Sequence, residues 1–141
     1  MSNFTTVIEH VSVDNDLIKV VVLNYTSVMG WRCGYVGVPE GHPLYGKKYE
    51  EIENDFEMNG GLTYSNYNES YDKEAGVTKY WYIGFDCAHS GDVLDRETKD
   101  KYNIPYNSDE LGYKPKRIWD KESVIREVNN LVLQIRKRGK Q

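Results

Sequence analysis

Residues 17–23 read Leu-Ile-Lys-Val-Val-Val-Leu, an apolar run broken only by Lys19. Successive side chains of a strand point to opposite faces, so a half-buried strand carries a polar residue at every second position. This run does not. It is rich in β-branched side chains and shorter than an ordinary helix, which predicts a central strand buried on both faces. The residues before it, Thr-Thr-Val-Ile-Glu-His-Val at 5–11, are equally β-rich, and Asp14-Asn15-Asp16 between the two runs reads as a turn. Strand, turn and strand predict an antiparallel hairpin. His10 is read as a strand side chain facing solvent.

A third strand is expected over residues 31–38. Alternation puts Trp31, Cys33, Tyr35 and Gly37 on one face, and Arg32, Gly34, Val36 and Val38 on the other. Glycines on both faces mark a bulge or the close approach of another group. Residues 39–46, Pro-Glu-Gly-His-Pro-Leu-Tyr-Gly, form a loop stiffened by two prolines that holds His42. Residues 47–57 place Tyr49, Ile52 and Phe56 at helical spacing, a short amphipathic helix that Asn59-Gly60-Gly61 stops. A fourth strand opens at residues 62–65. The polar stretch 66–76 is expected to be an exposed hairpin loop, mobile and lid-like. The fifth strand, 77–85, directs Trp81, Ile83 and Phe85 to the core and leaves Tyr80 and Tyr82 for solvent, a subunit or a ligand. Residues 93–116 read as irregular, with a helical turn or two at 95–101. Asp120 caps a final helix whose stripe is Val124, Val128, Leu131 and Ile135, widened by Ile125 and Val132. The expected fold is α+β: one domain over residues 1–141, an antiparallel sheet of about five strands with the C-terminal helix packed on one face.

Composition restricts the function. With 141 residues the chain is large enough for a core of its own. A net charge of −4 argues against gripping nucleic-acid backbones, despite the basic end at Arg136-Lys137-Arg138 and Lys140. No apolar run approaches a membrane span and the N-terminus lacks a signal pattern, so a cytoplasmic location is expected. Cys33 and Cys87 are expected to be free thiols. Twelve Tyr and three Trp against three Phe suit either ligand and subunit surfaces or amphipathic strands, because both side chains keep a polar edge.

The strand at 77–85 runs into Asp86-Cys87-Ala88-His89-Ser90-Gly91-Asp92, the densest polar chemistry in the chain. Three readings arise. Asp86, His89, Asp92 and a distant His42 could hold a divalent ion, although the repeated His or Cys spacing of zinc sites is lacking. Cys87 could act as a nucleophile with His89 or His42 as base. Loop amides with His89 and Ser90 could hold a polar or anionic group, with Asp86 and Asp92 accepting hydrogen bonds and tyrosines stacking on a planar base. Asp86 and Asp92 could equally serve only to shape the loop through side-chain-to-backbone bonds.

Gly-Tyr-Val-Gly-Val-Pro at 34–39, Gly-His-Pro-Leu-Tyr-Gly at 41–46, Gly-Gly-Leu-Thr-Tyr at 60–64 and Ile-Gly-Phe-Asp-Cys-Ala-His-Ser-Gly-Asp at 83–92 occur in this order. The set resembles a family of small uncharacterised proteins encoded by bacteriophages and prophages. The likeness covers about residues 31–92. It implies a genetic setting and no activity, and in that setting small accessory proteins bind host proteins or capture host nucleotide signals. The expectation is therefore a non-enzymatic, homo-oligomeric phage protein in the host cytoplasm, without a cofactor. It would sequester a small polar ligand, a nucleotide signal being the leading candidate, in a pocket lined by Tyr35, His42, Tyr64, Asp86, His89 and Asp92. The alternatives are a metal-dependent phosphoester hydrolase and a direct inhibitor of a host protein that uses a tyrosine-rich surface.

Overall fold

A computed structural model of the chain describes residues 4–58, 60–89, 92–106 and 117–139. Five antiparallel strands form one sheet: β1 (Thr5–Asp14), β2 (Leu17–Tyr25), β3 (Gly30–Val38), β4 (Tyr64–Tyr67) and β5 (Trp81–Asp86), in the order β1-β2-β3-β5-β4. Between β3 and β4 lie a single helical turn, α1 (Tyr49–Ile52), and a 3-10 turn at Glu53–Asp55. After β4 come α2 (Glu69–Ala75), β6 (Asp92–Leu94), α3 (Arg96–Tyr102), β7 (Arg117–Trp119) and α4 (Lys121–Gly139).

β2 is buried along nearly its whole length, as its apolar run requires. On its odd-numbered face, α4 lays Val124, Val128, Leu131 and Ile135 on Val21, Val36, Ile83 and Phe85, while Leu23 packs on Leu94 and Ile104. Asp120 caps that helix, its Oδ1 accepting from the Ser123 amide at 2.8 Å. The even-numbered side chains Ile18, Val20 and Val22 meet a second layer made of Cys33, Tyr35, Tyr71 and Tyr82.

That second layer corrects the reading of 66–76 as an exposed, lid-like loop. Asn68 caps α2 by accepting from the Tyr71 amide at 3.1 Å, and Gly76 ends it in the left-handed conformation. The helix brings Tyr71 against the rings of Tyr35 and Tyr82, with centroids 5.3 Å away in each case. Tyr82 is fully buried, and its hydroxyl donates to Asp72 Oδ1 at 2.9 Å. The expectation that Tyr82 faces solvent or a ligand therefore fails. The polar sequence of 66–76 concealed a cover for an aromatic face because the apolar side chains it packs inward are just Tyr71 and Ala75. The helix expected at 47–57 is also shorter than its spacing suggests, although Ile52 and Phe56 are buried as predicted.

The glycines of the sheet mark close approach. A Cβ on Gly34 would lie 2.5 Å from Val128 Cγ2, and one on Gly37 would lie 2.5 Å from the Tyr82 ring. Helix and ring can approach the sheet only where side chains are missing.

Arg32 is a charged side chain sealed inside the domain. Arg32, 3% exposed, uses all five of its N–H donors. Nε and Nη2 reach the two carboxylate oxygens of Glu9 at 2.7 and 3.1 Å, while Nη1 reaches Asp95 Oδ1 at 2.8 Å and the Trp119 carbonyl at 2.9 Å. Nη2 also meets Thr98 Oγ1 at 2.9 Å. Glu9 is available because β1 carries a bulge between Ile8 and His10, which adds one residue to the strand at that point. Arg32 thus ties β1 to α3 and to the start of α4. Burial would favour the neutral guanidine, but the two carboxylates outweigh it and raise its pKa above the ordinary value.

Candidate functional site

The six side chains expected to line one pocket fall into three groups. Tyr35 is buried in the aromatic layer, its ring 4.9 Å from that of Tyr64 on the edge strand β4, across Gly84 of β5. His42 stands at the opposite end of the sheet from Asp86, His89 and Asp92. β3 and β5 pair Val38 with Trp81 and Cys33 with Asp86, so the two ends are five residues apart. At about 3.3 Å per residue this is roughly 17 Å. His42 lies beyond Val38 and His89 beyond Asp86, so the pocket wall expected from the 39–46 loop does not meet the others.

His42 instead borders an open depression of about 620 Å³ with Asp16, Glu40 and Arg136. Its Nδ1 accepts the Leu44 amide at 3.1 Å, a bond that holds the loop. Burial lowers its pKa, against the opposing charge of Asp16. Arg136 is engaged by Asp14, through the carbonyl at 2.7 Å and the carboxylate at 2.9 Å.

At the other end, Asp86, His89 and Asp92 do converge. His89 Nδ1 sits 3.5 Å from Asp86 Oδ1 and 3.6 Å from Asp92 Oδ2. Both carboxylates also shape the loop: Asp86 accepts the Ala88 amide at 3.2 Å and Asp92 accepts the His89 amide at 2.9 Å. The His89 ring lies against Gly60, where a Cβ would come within 2.5 Å of Cε1. The turn at Gly60, with φ +84°, is therefore packed against this cluster. Asp92 is 3% exposed at its side chain, and Arg117 Nε meets its Oδ1 at 2.8 Å. Burial opposes ionisation of Asp92. The Arg117 hydrogen bond, the nearby Trp119 indole and the His89 amide outweigh it and hold the carboxyl below its usual range. The indole N–H approaches without completing a hydrogen bond and is otherwise unpartnered. Among the described residues, no three His, Cys, Asp or Glu side chains are grouped to hold a metal ion.

Neither cysteine is activated. Cys87 belongs to the core under α4, and its amide continues the β3–β5 pairing by donating to the Arg32 carbonyl at 2.8 Å. Burial pushes its thiol far above the ordinary value, and pushes Cys33 up to about 11. A protonated, buried thiol is a poor nucleophile.

Behind the 86–92 loop lies a cavity of about 190 Å³, more enclosed than the depression beside His42. Trp31, Cys87, Asp92, Leu94, Lys99 and Ile104 line it, with Met29 at its rim. Lys99 is 3% exposed, its ammonium 5.6 Å from the Tyr106 ring, and burial lowers its pKa. The sequence pointed to the loop but not to this cavity. Its far walls are β6 and α3, and β6 is fixed by parallel pairing with β7, which lies 25 residues on (Asp92 with Arg117, Val93 with Ile118, Leu94 with Trp119). No spacing rule announces such a pair. The reading of 93–116 as irregular missed β6 entirely and recognised only a short helix where α3 lies. Residues 107–116 lie outside the described residues.

The tyrosines among the described residues range from buried to half exposed. Tyr35, Tyr71 and Tyr82 are buried, while Tyr67 and Tyr106 are each about half exposed. No helix among the described residues is long and apolar enough to cross a membrane. Compared with protein-family models, with curated proteins and with solved structures, the chain matches none.

Proposed function

We infer that this protein binds a small polar ligand, without turnover, in the cavity between the 86–92 loop and α3. The observation that carries the reading is the lining. A partly enclosed space of about 190 Å³ combines the apolar walls Trp31, Leu94 and Ile104 with the buried side chains of Asp92 and Lys99. Apolar walls with a few fixed polar groups are the usual make-up of a ligand site. The volume is that of a single ring, since a cavity of about 150 Å³ takes up benzene. A nucleotide would seat its base inside and leave sugar and phosphate outside. The protonated Cys87 in the wall supports binding over covalent catalysis. The likeness of four sequence blocks to phage-encoded proteins supports a setting in which such binding withdraws a host signal.

The test is to heat-denature protein purified from cells, identify the released small molecules by mass spectrometry, and add each back. A bound ligand should be recovered intact and should stabilise the protein by about 2.7 kcal/mol at a hundredfold excess over Kd. Ile104→Trp, which fills the cavity, should abolish that shift. A ligand returned chemically altered would overturn binding without turnover. A shift that survives Ile104→Trp would remove the cavity from the reading.

A further inference from the structure

We propose that the outer edge of β1 pairs with the same edge of a second copy of this chain, antiparallel, about a two-fold axis between Glu9 and His10. The result is a homodimer in which the two sheets are continuous and both α4 helices lie on one side.

β1 is the terminal strand of the sheet, ten residues long, and among the described residues no backbone hydrogen bond leaves its outer side. Long open edges are usually guarded by lysine, proline or a bulge. β1 contains neither lysine nor proline, and two of its neighbouring or terminal apolar side chains, Phe4 and Val13, are 39% and 59% exposed. It does carry the bulge at Glu9. In a regular strand, pairing residues 5–14 end to end with a second copy would set even positions against odd ones, so that inward side chains faced outward ones. The bulge removes that conflict.

Pairing with β2 places Thr6, Ile8, Val11 and Val13 on the aromatic side of the sheet, through Asn24, Val22, Val20 and Ile18. Thr5, Val7, His10, Ser12 and Asp14 fall on the α4 side, and Glu9 joins them by its bond to Arg32. Pairing end to end then opposes Ile8 to Val11, Thr6 to Val13, Val7 to Ser12 and Thr5 to Asp14 of the second copy. Each pair shares a face. At the centre, Glu9 meets His10 of the second copy, and no like charges oppose. A shift of one residue either way mismatches the faces, and one of those shifts sets Glu9 against Glu9. An edge that matches itself over its full length suits a second copy, and two-fold self-complementarity is the commonest oligomer geometry.

Two measurements test it on the full chain. Sedimentation equilibrium of the native protein should give twice the 16.4 kDa chain mass. Then Thr6→Cys and Val13→Cys proteins are prepared separately and oxidised alone and mixed. Opposed residues of an antiparallel pair have Cα atoms about 4.5–5.5 Å apart, within disulfide range. Both positions are exposed, and native Cys33 and Cys87 are buried and do not compete. Only the mixture should give a covalent dimer on a non-reducing gel. A monomer in sedimentation would overturn the proposal. So would a dimer whose cross-linking is absent, or is as strong in either protein alone as in the mixture.

Discussion

Replacing Arg32 with methionine should unfold the domain more readily than any exposed substitution. Methionine keeps much of the volume and removes all five donors, leaving Glu9, Asp95, Thr98 and the Trp119 carbonyl without their partner. Breaking a buried ion pair by deleting one member costs about 3–5 kcal/mol. Glu9 and Asp95 are 15% and 21% exposed at their side chains, so water reaches them in part and the lower end applies. At about 4 °C per kcal/mol for a domain of this size, about 3 kcal/mol lowers the melting temperature by about 12 °C at pH 7. Arg32→Lys, with three donors and no fork, should fall between. The loss should also depend on pH. Burial opposes ionisation of Asp95, but Arg32 and Thr98 outweigh it and depress its folded pKa. That depression contributes stability above the unfolded carboxylate value of about 3.9 and is lost as pH falls through the folded value. The methionine variant lacks it, so its melting curve should close on the native one below about pH 4. Thermal melts followed by far-ultraviolet circular dichroism at several pH values provide the check. A variant melting within about 2 °C of the native protein at pH 7 would refute the role given to Arg32, as would a gap constant from neutral to acid pH.

Gly84→Ala should be similarly costly, because its Cβ would overlap the Tyr35 ring and the Gly34 carbonyl in the middle of the sheet. Overpacking of this kind costs about 1–3 kcal/mol, read from urea midpoints, and Tyr35→Ala in the same chain should recover part of it. With Cys33 pushed up to about 11 and Cys87 higher, a thiol reagent at pH 8 should label neither in the native protein and both after denaturation. Rapid labelling of Cys87 in the folded state would show that its burial is wrong.

The local patterns that proved legible are those whose partners lie nearby or whose periodicity is complete. Residues 17–23 could be placed in the sheet interior because an unbroken apolar run has no exposed face. Val124, Val128, Leu131 and Ile135 could be placed against the sheet because their spacing makes one stripe. The alternation of 31–38 sorted Cys33 and Tyr35 from Val36 and Val38 correctly, and its glycines correctly announced close approach. The convergence of Asp86, His89 and Asp92 was visible because all three lie within seven residues of sequence.

What only the folded chain decided are the meetings between distant segments. Nothing local separates Arg32 from a solvent-facing arginine, since its partners come from a bulge 23 residues before it and from segments more than 60 residues after it. His42 and His89 looked equally able to meet, yet β3 and β5 hold them at opposite ends of an antiparallel pair. Tyr82 alternates like an outward residue, and became core because α2 folds back to cover it. Hydrophobic periodicity reports how many faces of an element are buried. It does not report which element buries them, and here that assignment decided both the aromatic layer and the cavity beside Asp92.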